Sequence, residues 1–248
     1  MPLTDKIILN SLSSVRTIED SYTSSLVSVM GTLERDLISL MGGGTTEQIV
    51  DTALARQNIE RVLVDSGYYE TTGDLLSKGY QDTIEESYKV YQQSIGANFQ
   101  FADVSLGRLN SIKDMDLSKF GNLGDTFADD MTRVLLDLNF GTIDAKGARD
   151  ILASSVSKFS QHAQTWVTTG LSGIYRESSI MLAQDNGITK YMYVGPGDRI
   201  TRPFCMDLLG KRKAYTVDEI SKMNNGQGLS VLQFGGGFNC RHQWVGVE

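Results

Sequence analysis

The chain has 248 residues, of which 40% are apolar and 21% charged, a balance that supplies a real core and excludes a largely disordered chain. Its net charge of −7 argues against a dedicated nucleic-acid binder, which needs a concentrated cationic face. Two cysteines are too few for a disulfide scaffold.

No apolar run approaches the roughly 20 residues that a membrane span needs, so no membrane partner is expected. The opening residues, MPLTDKIILN, lack a basic region followed by an apolar core; no secretory signal is expected, and assembly in a cytosol follows. Charge is uneven along the chain. From Gly187 onward eight Lys or Arg stand against five Asp or Glu, while the preceding 186 residues hold 15 against 25.

Prolines fall only at positions 2, 196 and 203, and an uninterrupted stretch of that length is what a helical region requires. The expected fold is mainly α, with a long-helix body over residues 1–187 and a small α+β, loop-rich C-terminal module over 188–248. Ile8, Leu12, Val15, Ile18, Tyr22, Leu26, Val29, Leu33, Leu37 and Leu40 are spaced by threes and fours, which predicts a helix over about 5–41 that Gly42, Gly43 and Gly44 end. Its stripe suits either a core inside the chain or packing against another copy. Thr45 with Gln48 resembles a capping box opening a helix over about 46–66.

Leu76, Tyr80, Ile84, Tyr88, Tyr91 and Ile95 share one face of a helix over about 74–95, its tyrosines read as half-buried core. Residues 96–124 are poorly periodic, with glycines at 96, 107, 121 and 124, and are expected as a loop or short helical pieces. Phe127, Met131, Val134 and Leu138 mark a helix over about 125–139. Another spans about 143–186, capped by Thr142 with Asp144 in its first turn. It carries Leu152, Val156, Phe159, Ala163, Trp166, Ile174 and Met181 on one face, kinks or breaks at Gly170 or Gly173, and stops at Asn186-Gly187. His162 on this helix reads as a core residue and not a catalytic one.

Beyond Gly187 the texture becomes β-like. Lys190–Val194 alternates and predicts a strand, followed by a Gly195-Pro196-Gly197-Asp198 turn. Phe204–Leu209 is a helical turn closed by Gly210, and Thr216 caps a short helix. Cys240 and His242 are two apart, so on an extended chain they face one side. Thiolate and imidazole suit zinc, and Cys205 can join them, with Asp198 or Asp207 as a conceivable fourth ligand. Three readings stand side by side: a zinc site on Cys205, Cys240 and His242, two reduced and packed thiols, or a Cys205–Cys240 disulfide. No other cofactor is expected.

Asp198 beside Arg199 and Arg202 reads as a turn and ion-pair network. Arg199 and Arg202 also belong, with Lys211, Arg212, Lys213 and Arg241, to a candidate basic face for DNA phosphates or an acidic partner.

An ordered set of features runs through this region: a helix ending in Asn186-Gly187, Tyr191-x-Tyr193, then Asp198-Arg199-x-Thr201-Arg202-Pro203-x-Cys205. Leu209-Gly210-Lys211 follows, and the set closes with Gly235-Gly236-Gly237-Phe238-Asn239-Cys240-Arg241-His242. Together these resemble the C-terminal domain of the Mu F-like phage head-morphogenesis family, over roughly residues 145–248. Many relatives end in His-Pro-Asn-Cys-Arg-Cys, where this chain has Gly237 at the first position and His242 at the last.

The resemblance implies a virion structural protein, a minor head protein of a tailed phage assembled in the host cytoplasm. Its implied partners are the portal or capsid protein and packaged DNA, besides the other copies that the first helix suits. A head-to-tail connector or an ejected internal protein is the alternative. A cysteine-dependent hydrolase or nuclease built on Cys240 with His242 or His162 is the enzymatic alternative. No enzymatic activity is expected.

Overall fold

A computed structural model of the protein describes residues 5–43, 52–95 and 99–247. It is 76% helical with a three-stranded antiparallel sheet: mainly α with a small α+β part, as the sequence predicts. The helices α1 (Asp5–Gly43), α2 (Thr52–Asp65), α3 (Tyr68–Asp74), α4 (Tyr80–Ile95), α5 (Asp103–Asn139) and α6 (Ala145–Asp185) come first. Then follow β1 (Lys190–Val194), α7 (Pro203–Lys211), β2 (Ala214–Tyr215), α8 (Val217–Ser221), α9 (Val231–Phe234) and β3 (Gln243–Val247). No described helix is long and apolar enough to cross a membrane.

Several predicted details change. Thr45 and Gln48 lie outside the described residues, as does Gly44, while α1 itself runs through Gly42 and Gly43. Gly67, with φ of 82°, ends α2, so α3 starts earlier than the predicted position near Asp74 and joins α4 through a π-turn at Leu75–Gly79. Residues 103–124 are not loop: they form the first part of α5. Its buried positions Ser105, Leu109, Ile112, Asp116 and Phe120 keep helical spacing, but two of the five are polar and hide the stripe. A side chain at Gly107 or Gly121 would meet open space, so these glycines sit on the helix without breaking it.

At α6 the cap is Asp144 and not Thr142, since the Asp144 carboxylate accepts the Gly147 N–H at 2.7 Å. The helix continues unbroken through Gly170 and Gly173. His162 is exposed, outside the core position expected for it. Gly187, with φ of 85°, supplies the predicted left-handed stop.

By its contacts the chain divides into two compact units. One comprises Ser21–Leu76 and Met115–Trp166, and its core is mainly apolar helix packing, with Ser66, Thr72, Asp116 and Thr132 also buried. Leu26, Val29, Leu33 and Leu37 of α1 are buried there, so this stripe packs inside the chain. Phe159 lies between aromatic neighbours, stacked on Phe127 at 4.4 Å and tilted against Tyr68 at 5.0 Å. The Tyr68 hydroxyl donates to the Phe120 carbonyl at 2.9 Å, which satisfies its polar end. On the surface, Arg56 gathers Glu60, Asp125 and Asp129.

The other unit comprises Met1–Asp20, Ser77–Asp114 and Val167–Glu248. α6 ends at Asp185 and β1 begins at Lys190, and the last turns of α6 belong to the same compact unit as the C-terminal segment. The sheet has the order β2-β1-β3, with Tyr193 opposite Trp244 and Tyr191 opposite both Tyr215 and Gly246. Trp244 is fully buried against Tyr193 and Tyr215 and donates its indole N–H to the Val231 carbonyl at 3.1 Å. Tyr80 and Tyr91 of α4 are core residues and Tyr88 is half-buried. The Tyr91 hydroxyl accepts the Gly246 N–H at 3.0 Å and lies 3.1 Å from the Ser179 hydroxyl, tying α4 and α6 to β3.

Candidate functional site

The chemistry-bearing residues of the C-terminal segment converge on Arg176 of α6, a position that sequence reading passed over. Its guanidinium is 1% exposed and donates to three main-chain carbonyls: His242 at 2.7 Å, Gln233 at 3.0 Å, and Cys240. A buried guanidinium costs several kcal/mol unless its donors are met. Here the flat fork of donors meets the irregular chain from Gln233 to His242, whose carbonyls have no ladder partner to take them. A second arginine, Arg202 at the start of α7, donates to Phe238 at 2.7 Å and Gly236 at 3.4 Å in the same stretch.

Glu19, 4% exposed, accepts from the Ser172 hydroxyl and from Arg16 at 3.2 Å. Burial pushes its carboxyl pKa up, partly offset by the Ser172 hydrogen bond and by the charges of Arg16 and Arg176.

Beneath this loop lie Cys205, Cys240 and His242, all buried. Cys205 sits in the first turn of α7, placed there by Pro203 at the helix start. Cys240 and His242 face one side of the extended chain leading into β3, as their spacing predicts. Both cysteines are free, with sulfurs 3.9 Å apart. Cys240 Sγ is 3.6 Å from His242 Nδ1 and accepts the Gly236 N–H at 3.2 Å.

The Tyr193 hydroxyl, from β1, stands 3.5 Å from Cys205 Sγ and 3.3 Å from Cys240 Sγ. The hydrogen bond from Cys205 holds the Cys240 thiol well below its ordinary pKa, with His242 and the Arg176 charge acting the same way; sharing that proton pushes Cys205 up. The loop backbone is pressed against the cluster: a side chain at Gly236 would collide with Cys205 Sγ, and one at Gly195 with His242.

Comparisons with family models, curated proteins and solved structures found nothing that matches this chain.

The remaining predicted site residues lie elsewhere. Asp198 pairs with Arg241 through two bonds of 2.7 Å, and not with Arg199 or Arg202. Its carboxylate also accepts from Ile200 N–H and Thr201, and the Arg241 bond holds its pKa well below the usual carboxylate range. Asp207 pairs with Lys211 at 2.6 Å, so neither aspartate joins the cysteines. Lys213 pairs with Glu219 at 2.9 Å and lies over the Tyr215 ring. Arg199 and Arg212 are exposed, the latter with φ of 43° at the end of α7.

Arg176 and Glu19 have no place in the sequence-based expectations, and Tyr193 enters them only as a strand and motif residue, not as a neighbour of the cysteines. The one available signal is in α6, where Thr169–Ala183 is buried all round and yet contains Arg176 and Glu177. A charge inside a stretch otherwise made of apolar and small residues has no solvated face to occupy.

Proposed function

We propose that the chain is a virion structural protein, a minor head protein of a tailed phage that acts in head assembly at the portal or inner capsid. The observation that carries this reading is the ordered motif set from Asn186 to His242, whose members act on one another as structural parts. Asp198 and Thr201 shape the turn after β1, Arg202 holds the carbonyls of the glycine-rich stretch, and Cys205, Cys240 and His242 meet under Tyr193. A motif consumed in holding a fold suits a protein whose work is done by its surface.

The enzymatic alternative finds less support. Cys240 has a histidine beside it but is 3% exposed, and a cysteine nucleophile must present its thiolate to substrate. Lys211, Lys213 and Arg241 each pair with an acidic residue of the chain itself, which weakens the case for a phosphate-binding face. Portal protein, capsid protein or another copy is therefore favoured as partner over packaged DNA.

The test is to purify particles from the source and count this chain against the portal protein by quantitative mass spectrometry. A stoichiometry at or below the portal's is expected. Complete absence from mature particles overturns the reading.

A further inference from the structure

We propose that Cys205, Cys240 and His242 form a structural zinc site, with the Tyr193 hydroxyl at its fourth corner. Zinc bonds of about 2.3 Å to sulfur and about 2.0–2.2 Å to nitrogen or oxygen set the edges of a tetrahedron: about 3.8 Å between sulfurs and about 3.5 Å from sulfur to nitrogen or oxygen. The two sulfurs are 3.9 Å apart, and Cys240 Sγ is 3.6 Å from His242 Nδ1. The Tyr193 oxygen is 3.3 Å and 3.5 Å from the sulfurs of Cys240 and Cys205. The cysteine and histidine ligand atoms all lie within 4.8 Å of one another, so the Cys205–His242 edge needs to close by at most about 1.3 Å.

The histidine is set for this role. Its Nε2 lies 2.9 Å from the Pro196 carbonyl, which can only accept, so Nε2 carries the proton and the Nδ1 lone pair is turned toward the sulfurs. The Gly236 N–H already points at Cys240 Sγ, as a donor does toward a metal-bound thiolate.

Binding releases to water the proton that the two sulfurs share, and two thiolates then balance the double charge of zinc, leaving a neutral group in a dry place. Two thiolates and an imidazole select zinc over calcium or magnesium, which prefer oxygen. With Tyr193 and the three ligands each at most 3% exposed, no corner opens to substrate, and the role is structural. The site joins β1, α7 and the approach to β3 within the hydrophobic cluster that also holds Tyr191, Leu208, Val231 and Trp244.

This inference does not rest on the virion reading. The full chain, purified under reducing conditions without chelator, is expected to carry one zinc per chain by elemental mass spectrometry. Cobalt added in place of zinc is expected to give the visible bands of a tetrahedral, thiolate-bound ion. His242→Ala is expected to lose the metal. Because that variant can also unfold, Tyr193→Phe is the second arm: it keeps the ring and is expected to retain zinc with an affinity lowered by roughly tenfold or more. Wild-type chain that holds no zinc after incubation with it, and whose thiols react equally fast with and without zinc, overturns the site. Unchanged affinity and cobalt spectrum in Tyr193→Phe overturns the fourth corner.

Discussion

The two compact units reach stability by different means. In the unit of Ser21–Leu76 and Met115–Trp166, long helices bury apolar stripes, and the charges of Arg56 and its acidic partners stay at the surface. In the other unit, Arg176, Glu19, Glu177 and Ser172 are taken inside, and a long irregular chain with little regular structure folds over them. Apolar packing is non-directional and forgiving, so it tolerates changes of detail. Buried hydrogen bonds to a charge are directional and leave a large penalty when one partner is lost. The second unit is therefore expected to be the more specific in conformation and the more brittle under substitution.

The largest effect is expected at Arg176. Arg176→Met fills similar volume but leaves the carbonyls of Gln233, Cys240 and His242 without their donor. At about 1–3 kcal/mol for each buried group left unsatisfied, a destabilisation of roughly 4 kcal/mol or more follows. Arg176→Lys recovers only part of it, because one ammonium cannot reproduce the flat fork. Denaturant unfolding followed by Trp244 fluorescence in a Trp166→Phe background checks this, and a loss below about 1 kcal/mol would refute the view of Arg176 as the centre of the unit.

Leu33→Ala is the matching change in the apolar unit. Leu33 is fully buried, and its truncation is expected to cost about 3 kcal/mol by lost burial and the cavity left behind. The contrast sharpens in cysteine reactivity. Arg176→Met is expected to expose Cys240 to a thiol reagent, whereas Leu33→Ala leaves that rate unchanged.

The same division explains what could be read from the sequence. The α1 stripe from Leu26 to Leu37 is legible because every member is apolar and the period alone identifies the buried face. The first half of α5 is not, since Ser105 and Asp116 occupy buried places in its stripe and Gly107 and Gly121 imitate a loop. Within the site, the shared side of Cys240 and His242 follows from the two-residue strand period. Arg176 and Glu19 do not follow from any local pattern. The carbonyls that Arg176 meets lie 57 to 66 residues away in sequence and the Ser172 partner of Glu19 lies 153 away, beyond the reach of spacing arguments; only the Arg16–Glu19 pair is local. Tyr193 reads locally as a strand former; only the antiparallel register that sets it opposite Trp244 brings it over the sulfurs.

A smaller and pH-dependent effect is expected at Glu19. Burial raises its pKa in the folded state, so the folded chain holds this proton more tightly than the unfolded chain does. The stability it contributes is fully present below the ordinary glutamate value and is lost as pH rises through the raised folded value. Glu177, raised by burial with Arg108 opposing, moves in the same sense. Glu19→Gln keeps the shape and removes the titration, so its melting temperature is expected to fall less than wild type over that window. Parallel curves for the two proteins would show that Glu19 does not titrate there.

The smallest effect tests whether the brittle unit is brittle throughout or only around Arg176. Thr216 caps α8 by a capping box: its hydroxyl accepts the Glu219 N–H at 3.2 Å, and the Glu219 carboxylate accepts the Thr216 N–H at 2.8 Å. Glu219 also takes Lys213, an exposed ion pair of little worth in water. Thr216→Ala is expected to cost about 1 kcal/mol, the ordinary value for a lost cap. Its hydrogen-exchange effect should stay within α8 and leave Trp244 fluorescence unchanged, because none of the capping bonds reaches Arg176 or the cysteines. A loss several times larger, spread to β1 and β3, would mean that the short elements beyond Gly187 fold as one cooperative block, so that their brittleness belongs to the whole loop-rich stretch and not to the arginine at its base.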